Sequence, residues 1–158
     1  MEEKKHKIKP GEALAWCIAF PGFGQLLSRK YWVGSFMLIV GALINIKAQF
    51  NQIIFLSLNG DIMKAVEVGD LAWLSFYPCI YFFSMYDAYR STGGGKDSHF
   101  SFLPFVFSAY SATVGIFYSS QVRIAGHLIG PFWLPIICFI TGILLGFLLK
   151  HLLHRWFH

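Results

Sequence analysis

Five apolar stretches alternate with short polar segments along the chain. An α-helix needs about 20 apolar residues to cross a hydrocarbon core about 30 Å thick. The first stretch is short for this purpose, because its 16 residues reach only about 24 Å as a helix. The second is long, about 40 Å as one helix, which predicts that it tilts or projects from the membrane. The stretches cover residues 12–27, 31–58, 71–89, 100–121 and 128–149.

The first stretch is interrupted by the sequence FPGFGQ at residues 20–25. Pro21 removes a backbone donor and clashes with a continuing helix, and Gly22 and Gly24 permit positive φ. Such backbone leaves unpaired polar groups, which membranes tolerate only against protein or in a wet cavity. The side chain of Gln25 can supply one partner. The interruption therefore allows a segment that re-enters or lies at the interface, or one that spans the membrane.

The distribution of Lys and Arg distinguishes these paths, with Lys47 left aside because it lies inside the second stretch. If all five stretches span and the N-terminus is inside, six basic residues lie on each side. If residues 12–27 return to the side from which they came, ten lie inside and only Lys64 and Arg123 outside. Basic short loops favour the cytoplasm. The ten are Lys4, Lys5, Lys7, Lys9, Arg29, Lys30, Arg90, Lys96, Lys150 and Arg155.

The sequence therefore predicts an all-α integral membrane helical bundle. We expect four transmembrane helices plus a short N-terminal re-entrant or interfacial helix, with both termini cytoplasmic; five transmembrane helices are the alternative. The predicted organisation is a cytoplasmic basic tail at residues 1–10, a single membrane-embedded helical domain at 11–150 and a basic aromatic tail at 151–158. The last of these is expected to contact anionic lipids at the cytoplasmic face.

Composition supports a membrane protein and excludes other classes. The chain of 158 residues is 56% hydrophobic and 13% charged, whereas soluble domains carry about 25% charged residues. The formal net charge is +5, but the basic residues form short clusters between apolar runs, which does not indicate nucleic-acid binding. Three isolated cysteines suggest neither a disulfide framework nor a zinc site.

The interruption also resembles a known motif. Residues 20–27, followed by Tyr31 and Gly34, are similar to the PGxGQ-x-Y-x-G signature of small bacterial multipass membrane proteins related to the TM2-domain family. The likeness covers about residues 13–45 and departs at Leu27-Ser28, where relatives often have Tyr-Asn-Gly. It implies a multipass protein of the bacterial inner membrane and assigns no chemistry to the motif.

Polar residues near the end of the second stretch suggest a candidate site. Asn45, Gln49 and Gln52 recur at i, i+4 and i+7, so one helix would carry them on a single face, and Lys47 and Asn51 share another. One interpretation is a polar path or solute site. The other, which we favour, is that the helix has reached the outer interface, where polar side chains are ordinary and Lys47 extends its amine outward.

A second candidate set lies at the predicted cytoplasmic side. Asp87 and Arg90 are spaced i, i+3 at the inner end of the third stretch, within reach of each other. Arg29 and Lys30 follow the first stretch on the same side. We predict that Asp87 anchors the first segment through Arg29 or Lys30. Its place near the interface favours this structural role over a proton relay.

Small residues mark close helix packing, and no recognisable catalytic motif accompanies them. Ser108, Ala112, Gly115 and Ser119 form a stripe on the fourth stretch, and residues 142–146 form a G-x-x-x-G on the fifth. They serve contacts within the chain or a homodimer. We predict a non-enzymatic structural or partner-binding membrane component without cofactor or metal; its partners would be lipid, a second copy or another membrane protein. The alternative is a small transporter or channel subunit that uses the polar path.

Overall fold

The computed structural model describes residues 8–96, 98 and 100–156. Most of the predicted basic tail (residues 1–7) and residues 157–158 lie outside the described part. Within it the chain is all-α apart from one short hairpin, which confirms the predicted class. The elements are α1 (Pro10–Ala19), α2 (Phe23–Leu27), α3 (Tyr31–Ala48), α4 (Phe50–Leu58), α5 (Ile62–Val68), α6 (Leu71–Leu74), α7 (Tyr77–Ser91), α8 (Leu103–Tyr118), β1 (Arg123–Ile124), β2 (His127–Leu128) and α9 (Gly130–Trp156).

The helices α3, α7, α8 and α9 run alternately in opposite directions. The ring of Phe50, just after α3, lies 4.9 Å from that of Tyr77 at the start of α7. The ring of Tyr89, near the end of α7, lies 6.0 Å from that of Phe105 near the start of α8. The four helices therefore follow one another in up-down order, with α4, α5 and α6 in the connection between α3 and α7. We call the end with the C-terminus of α7 the basal end, and the opposite end the distal end.

Helices α8 and α9 approach closely through small residues. A methyl group at Gly115 would lie 2.9 Å from the Cα atom of Pro135, and one at Gly146 would lie 2.5 Å from that of Pro104. Small residues at a contact between two helices let the backbones approach closely. The predicted stripes therefore serve packing within the chain, as the first of the two interpretations had it.

The second apolar stretch is not one helix, so the prediction of a single helix about 40 Å long is wrong. Helix α3 ends at Ala48, Gln49 adopts a left-handed conformation with φ of 58°, and α4 begins at Phe50. A left-handed residue outside glycine costs about 1–3 kcal/mol. Ile53, four residues later, is fully buried. Burial of an isoleucine contributes about 1.5–3 kcal/mol, which offsets the cost of the left-handed conformation.

The break lets the chain fold back over the distal end. Helices α4 and α5 form a helical hairpin there, with α5 inside the segment that the sequence marks as a polar loop. A straight helix would carry Ile53 away from the residues that now surround it. These residues form the distal apolar core, which contains Ala48, Ile53, Ala65, Leu74 and Ile116.

Two helices among the described residues are candidate membrane spans by length and apolar content. They are α3, with 18 residues, and α9, with 27. Helix α8 is apolar but has 16 residues, and α7 has 15. Two helices of this length and composition are compatible with a membrane protein.

Candidate functional site at the interrupted first segment

Helix α1 lies antiparallel to α7 and leads away from the basal end. Ala13 belongs to one buried cluster with Ala88, in the last turn of α7. Further along α1, the hydroxyl of Tyr81 donates a hydrogen bond of 3.0 Å to the carbonyl oxygen of Ile18. Tyr81 is seven residues before Ala88, so α1 runs about 10 Å up the side of α7.

Helix α2 brings the chain back to the basal end. Gly24 lies against α1, so that a methyl group there would be 2.6 Å from the carbonyl oxygen of Ala13. Lys30, which follows α2, places its Nζ atom 3.1 Å from Oδ1 of Asp87. Residues 10–30 therefore form a helical hairpin, and both of its ends lie beside the C-terminal turns of α7.

The tip of this hairpin reaches about halfway along α3. The Cγ atom of Pro21 lies 2.9 Å from where a methyl group on Gly41 would stand. Gly41 is ten residues after Tyr31, the first residue of α3, which corresponds to about 15 Å along the helix axis. The hairpin is thus a wedge inserted beside α3 and α7 from the basal end.

The Pro-Gly pair shapes the turn. Phe20 ends α1 in an extended conformation, with φ of −159° and ψ of 136°, as expected for a residue before proline. Gly22 has φ of 108°, and a Cβ atom there would lie 2.5 Å from the carbonyl oxygen of Gly34. The position therefore requires glycine for both its conformation and its contact with α3.

A buried polar cluster fastens the hairpin to α7. Gln25 and Ser84 are both fully buried. The Nε2 amide of Gln25 donates to the carbonyl oxygen of Ser84 at 2.7 Å and to Oδ2 of Asp87 at 3.2 Å. Its Oε1 accepts from the Ser84 hydroxyl at 3.2 Å and from the Cys17 thiol at 3.7 Å. All the hydrogen-bonding capacity of the Gln25 side chain is thus used, as a buried amide requires.

The Ser84 hydroxyl also serves the turn itself. It accepts a hydrogen bond of 2.9 Å from the backbone amide of Gly22. That amide is among the first donors of α2, which have no partner within the helix. Ser84 of α7 therefore supplies the hydrogen-bond partner that the interrupted backbone at Gly22 needs in an apolar environment.

Asp87 connects the cluster to the basal surface. Its second carboxylate oxygen is paired with Lys30, and the two side chains are 26% and 41% exposed, respectively. A pair this accessible contributes about 0–1 kcal/mol. Arg90 instead donates to the carbonyl oxygen of Gly95 at 2.9 Å. Of the four predicted ion-pairing residues, the described part of the structure joins Lys30 to Asp87 and leaves Arg29 outside this pair.

The polar path stays a prediction, but the single helical face on which it was placed is not formed. Helix α3 ends at Ala48 and Gln49 is left-handed, so Asn45 and Gln52 lie on different helices. The side chain of Asn45 donates to Oδ1 of Asn51 across the break, at 3.3 Å. Lys47, Gln49 and Gln52 are exposed near the distal end, which is the placement that the interfacial interpretation expects.

Comparisons with protein-family profiles, curated proteins and solved structures find no match. The cluster must therefore be interpreted from its own geometry. Cys17 lies against an amide oxygen and a hydroxyl, without the basic neighbour that would activate a thiol. Among the described residues, no group of three or more His, Cys, Asp and Glu side chains is placed to hold a metal ion. The arrangement is suited to holding two segments together.

Ser84 and Cys17 belong to this cluster although neither was predicted as a site residue. A signal was present, because Tyr81, Ser84 and Asp87 recur at intervals of three residues in an otherwise apolar stretch. That spacing places them along one side of a helix. A polar stripe opposite a Pro-Gly interruption indicates where the interrupted backbone finds its partners.

Proposed function

We propose that this protein is a non-enzymatic multipass membrane component, acting as a structural or partner-binding element, with α1 and α2 as a re-entrant hairpin. The observation that carries the proposal is the exposure of large apolar side chains on the outside of the helices, while the polar side chains of Gln25 and Ser84 are buried. Large apolar side chains cover the outside of α3, where Trp32, Phe36, Ile39, Leu43 and Ile46 are all between 47% and 91% exposed. Among the residues that the structure describes, the buried polar side chains are Gln25, Ser57, Ser84, Ser101, Ser108 and Ser119.

The magnitude of this exposure favours lipid over water. A large apolar side chain that stays in water lacks the burial free energy of about 1.5–3 kcal/mol that it would gain in an apolar environment. For the five exposed apolar side chains on α3, the missing burial free energy is comparable with the whole free energy of unfolding of a typical domain, about 5–15 kcal/mol. Only 28% of the most apolar window of α3 and 17% of that of α9 are buried. The core helix of a soluble protein would instead be mostly buried.

We propose that α7 and α8 also cross the membrane, which gives four spans. Helix α8 is about 24 Å long, shorter than the hydrocarbon core, and a local thinning of the bilayer accommodates such a mismatch at modest cost. Helix α6 extends the path of α7. The alternation of the four helices supports this topology, as does the absence of Lys, Arg, Asp and Glu from residues 100–121 and 130–149.

The basal end is proposed to face the cytoplasm of a bacterial cell. Basic residues in short loops favour the cytoplasmic side. The basic residues at or just after the helix ends on the basal side are Arg29, Lys30, Arg90, Lys96 and Lys150. The distal end carries the acidic residues of the segment 59–70. The hairpin α1–α2 then enters the membrane from the cytoplasmic side and returns to it.

The roles of the motif residues support a structural function. Pro21 contacts α3, Gly22 forms the turn, Gly24 allows the two helices of the hairpin to meet, and Gln25 holds α7. Each of these four residues takes part in the turn, in packing or in hydrogen bonding. The relationship to TM2-related membrane proteins stays a prediction. The alternative of a transporter or channel subunit loses its main support, because the polar residues it requires are separated by the break at Gln49.

Spin labels along α3 test the proposal of membrane embedding. Cysteines at Phe36, Ile39 and Leu43, in a chain whose native cysteines are replaced by alanine, carry the labels in lipid vesicles. We expect each label to be relaxed strongly by oxygen and weakly by a water-soluble nickel chelate, with Asn59 at the distal end as the water-exposed control. Strong relaxation by nickel at all three positions would contradict embedding.

A further inference from the structure

An apolar groove opens on the basal half of the protein, between α1, α7, α8 and α9. It has a volume of about 240 Å³, and its lining includes Leu14, Phe82, Phe105, Ile143 and Phe147. Lys150 lines it as well, one turn after Phe147 on α9. Most of its wall is hydrocarbon, and a cation lies at its basal limit.

A second cavity, of about 370 Å³, adjoins this groove. The two share Phe147 and Lys150, and the second also includes His151 and His154. From Ile143 to His154 the lining changes from apolar to basic over about 16 Å of helix. The two cavities together present a hydrocarbon slot that leads to a surface of cationic and hydrogen-bond-donating side chains.

We propose that this surface binds one anionic phospholipid of the basal leaflet, with an acyl chain in the groove and its phosphate beside Lys150 and His151. The proposal rests on the proposed function, because it requires the bundle to lie in a bilayer. Charge complementarity supports it: Lys150 is positioned where a phosphate would lie if a chain filled the groove, and basic residues at a membrane surface attract anionic headgroups.

The chemistry of the lining favours an acyl chain with a phosphate headgroup over other occupants. The groove is lined mostly by apolar side chains, and Lys150 stands at its basal limit beside His151. A free phosphate would engage the basic surface but would leave the apolar groove unfilled.

Native mass spectrometry of the full chain, released from lipid nanodiscs, tests the proposal. The nanodiscs contain equal amounts of phosphatidylglycerol and phosphatidylcholine with distinguishable chains. We expect one retained phosphatidylglycerol per chain in preference to phosphatidylcholine. Lys150→Gln should reduce that preference about fivefold, the effect of one lysine near an anionic surface. Lys64→Gln, at the distal end, is the matched control and should leave the preference unchanged.

A second pair of variants tests the groove. Ile143 lines it, whereas Ile140, one turn earlier on the same helix, is 48% exposed outside it. Ile143→Trp should fill the slot and abolish retention, and Ile140→Trp should not. Circular dichroism and size-exclusion chromatography establish that both variants are folded. Glycerol 1-phosphate, which lacks acyl chains, should not displace the lipid at millimolar concentration.

Several results would overturn the inference. The inference is contradicted if the two lipids are retained equally, or if retention is unchanged in both Lys150→Gln and Ile143→Trp. It is also contradicted if glycerol 1-phosphate displaces the lipid, or if a second copy of the chain occupies the groove. Failure of the proposed function is separately visible. A chain that alkaline carbonate extracts from its native membranes is not embedded, whereas an embedded chain without lipid preference contradicts only the lipid site.

Discussion

The substitution Gln25→Leu tests whether the buried polar cluster holds the hairpin in place. It keeps a side chain of similar size and removes four hydrogen bonds, three of them between nitrogen or oxygen atoms at 2.7–3.2 Å and one to the Cys17 thiol. Hydrogen bonds between membrane helices contribute about 0.6–1.7 kcal/mol each. The bond to the Asp87 carboxylate is charge-assisted and belongs to the upper part of that range.

We therefore expect Gln25→Leu to lower the free energy of unfolding by about 2–4 kcal/mol. The measurement is reversible unfolding in mild detergent with increasing dodecyl sulfate, followed by tryptophan fluorescence. Gln52→Leu is the matched control, because it makes the same chemical change at an exposed position of α4. Exposed substitutions away from special features usually change stability by less than about 0.5 kcal/mol.

A double-mutant cycle separates the cluster from a simple loss of volume. Ser84→Ala removes the hydroxyl that both Gly22 and Gln25 use. Residues that share hydrogen bonds show coupling energies of about 0.5–3 kcal/mol, so the double variant should lose less stability than the two single losses added. Strict additivity, or a Gln25→Leu variant as stable as Gln52→Leu, would refute the role given to the cluster.

Three further substitutions examine other contacts by the same unfolding measurement. Gly24→Ala places a methyl group 2.6 Å from a backbone oxygen of α1 and should lower the free energy of unfolding by about 1–3 kcal/mol. Its control is Gly11→Ala, whose methyl group meets open space and should cause no measurable loss. Equal losses in the two variants would contradict the packing of the hairpin. Lys30→Gln removes the partly exposed pair with Asp87 but keeps the hydrogen bond from Gln25 to Asp87. It should cost about 1 kcal/mol or less, and a loss of several kcal/mol would show that the pair is the main anchor. Gly142→Ala meets a backbone oxygen of α8 at 2.5 Å and should cost about 1–3 kcal/mol; a neutral result would contradict close packing of α8 and α9.

The sequence was sufficient for features governed by local backbone rules. Proline and two glycines in an apolar stretch predict an interruption with unpaired amides. The partner expected from Gln25 comes instead from Ser84, which accepts from the amide of Gly22, while Gln25 bonds to α7. Charge sidedness brought Lys30 and Asp87 to one side of the bundle before their contact was known. These predictions depend on the backbone chemistry of proline and glycine and on the number of basic residues in each loop, both of which can be read from the sequence.

The break at Gln49 could not be predicted in the same way. Glycine and proline are the strongest signals of a helix end, and neither occurs between residues 42 and 59. The left-handed conformation at Gln49 is stabilised by the burial of Ile53 with Ala48 and Leu74, which are contacts made after the chain has folded back. Ser84 was missed for a related reason, because its importance comes from facing the amide of Gly22.

The central claim is that residues 10–30 enter the membrane and return to the same side. Cysteine labelling in sealed vesicles tests it most directly, with single cysteines at Gly11, Arg29 and Asn59 in the chain whose native cysteines are replaced by alanine. A membrane-impermeant maleimide should reach Gly11 and Arg29 from one side and Asn59 from the other. Labelling of Gly11 and Arg29 from opposite sides would show that the first segment spans the membrane, and would contradict the re-entrant hairpin.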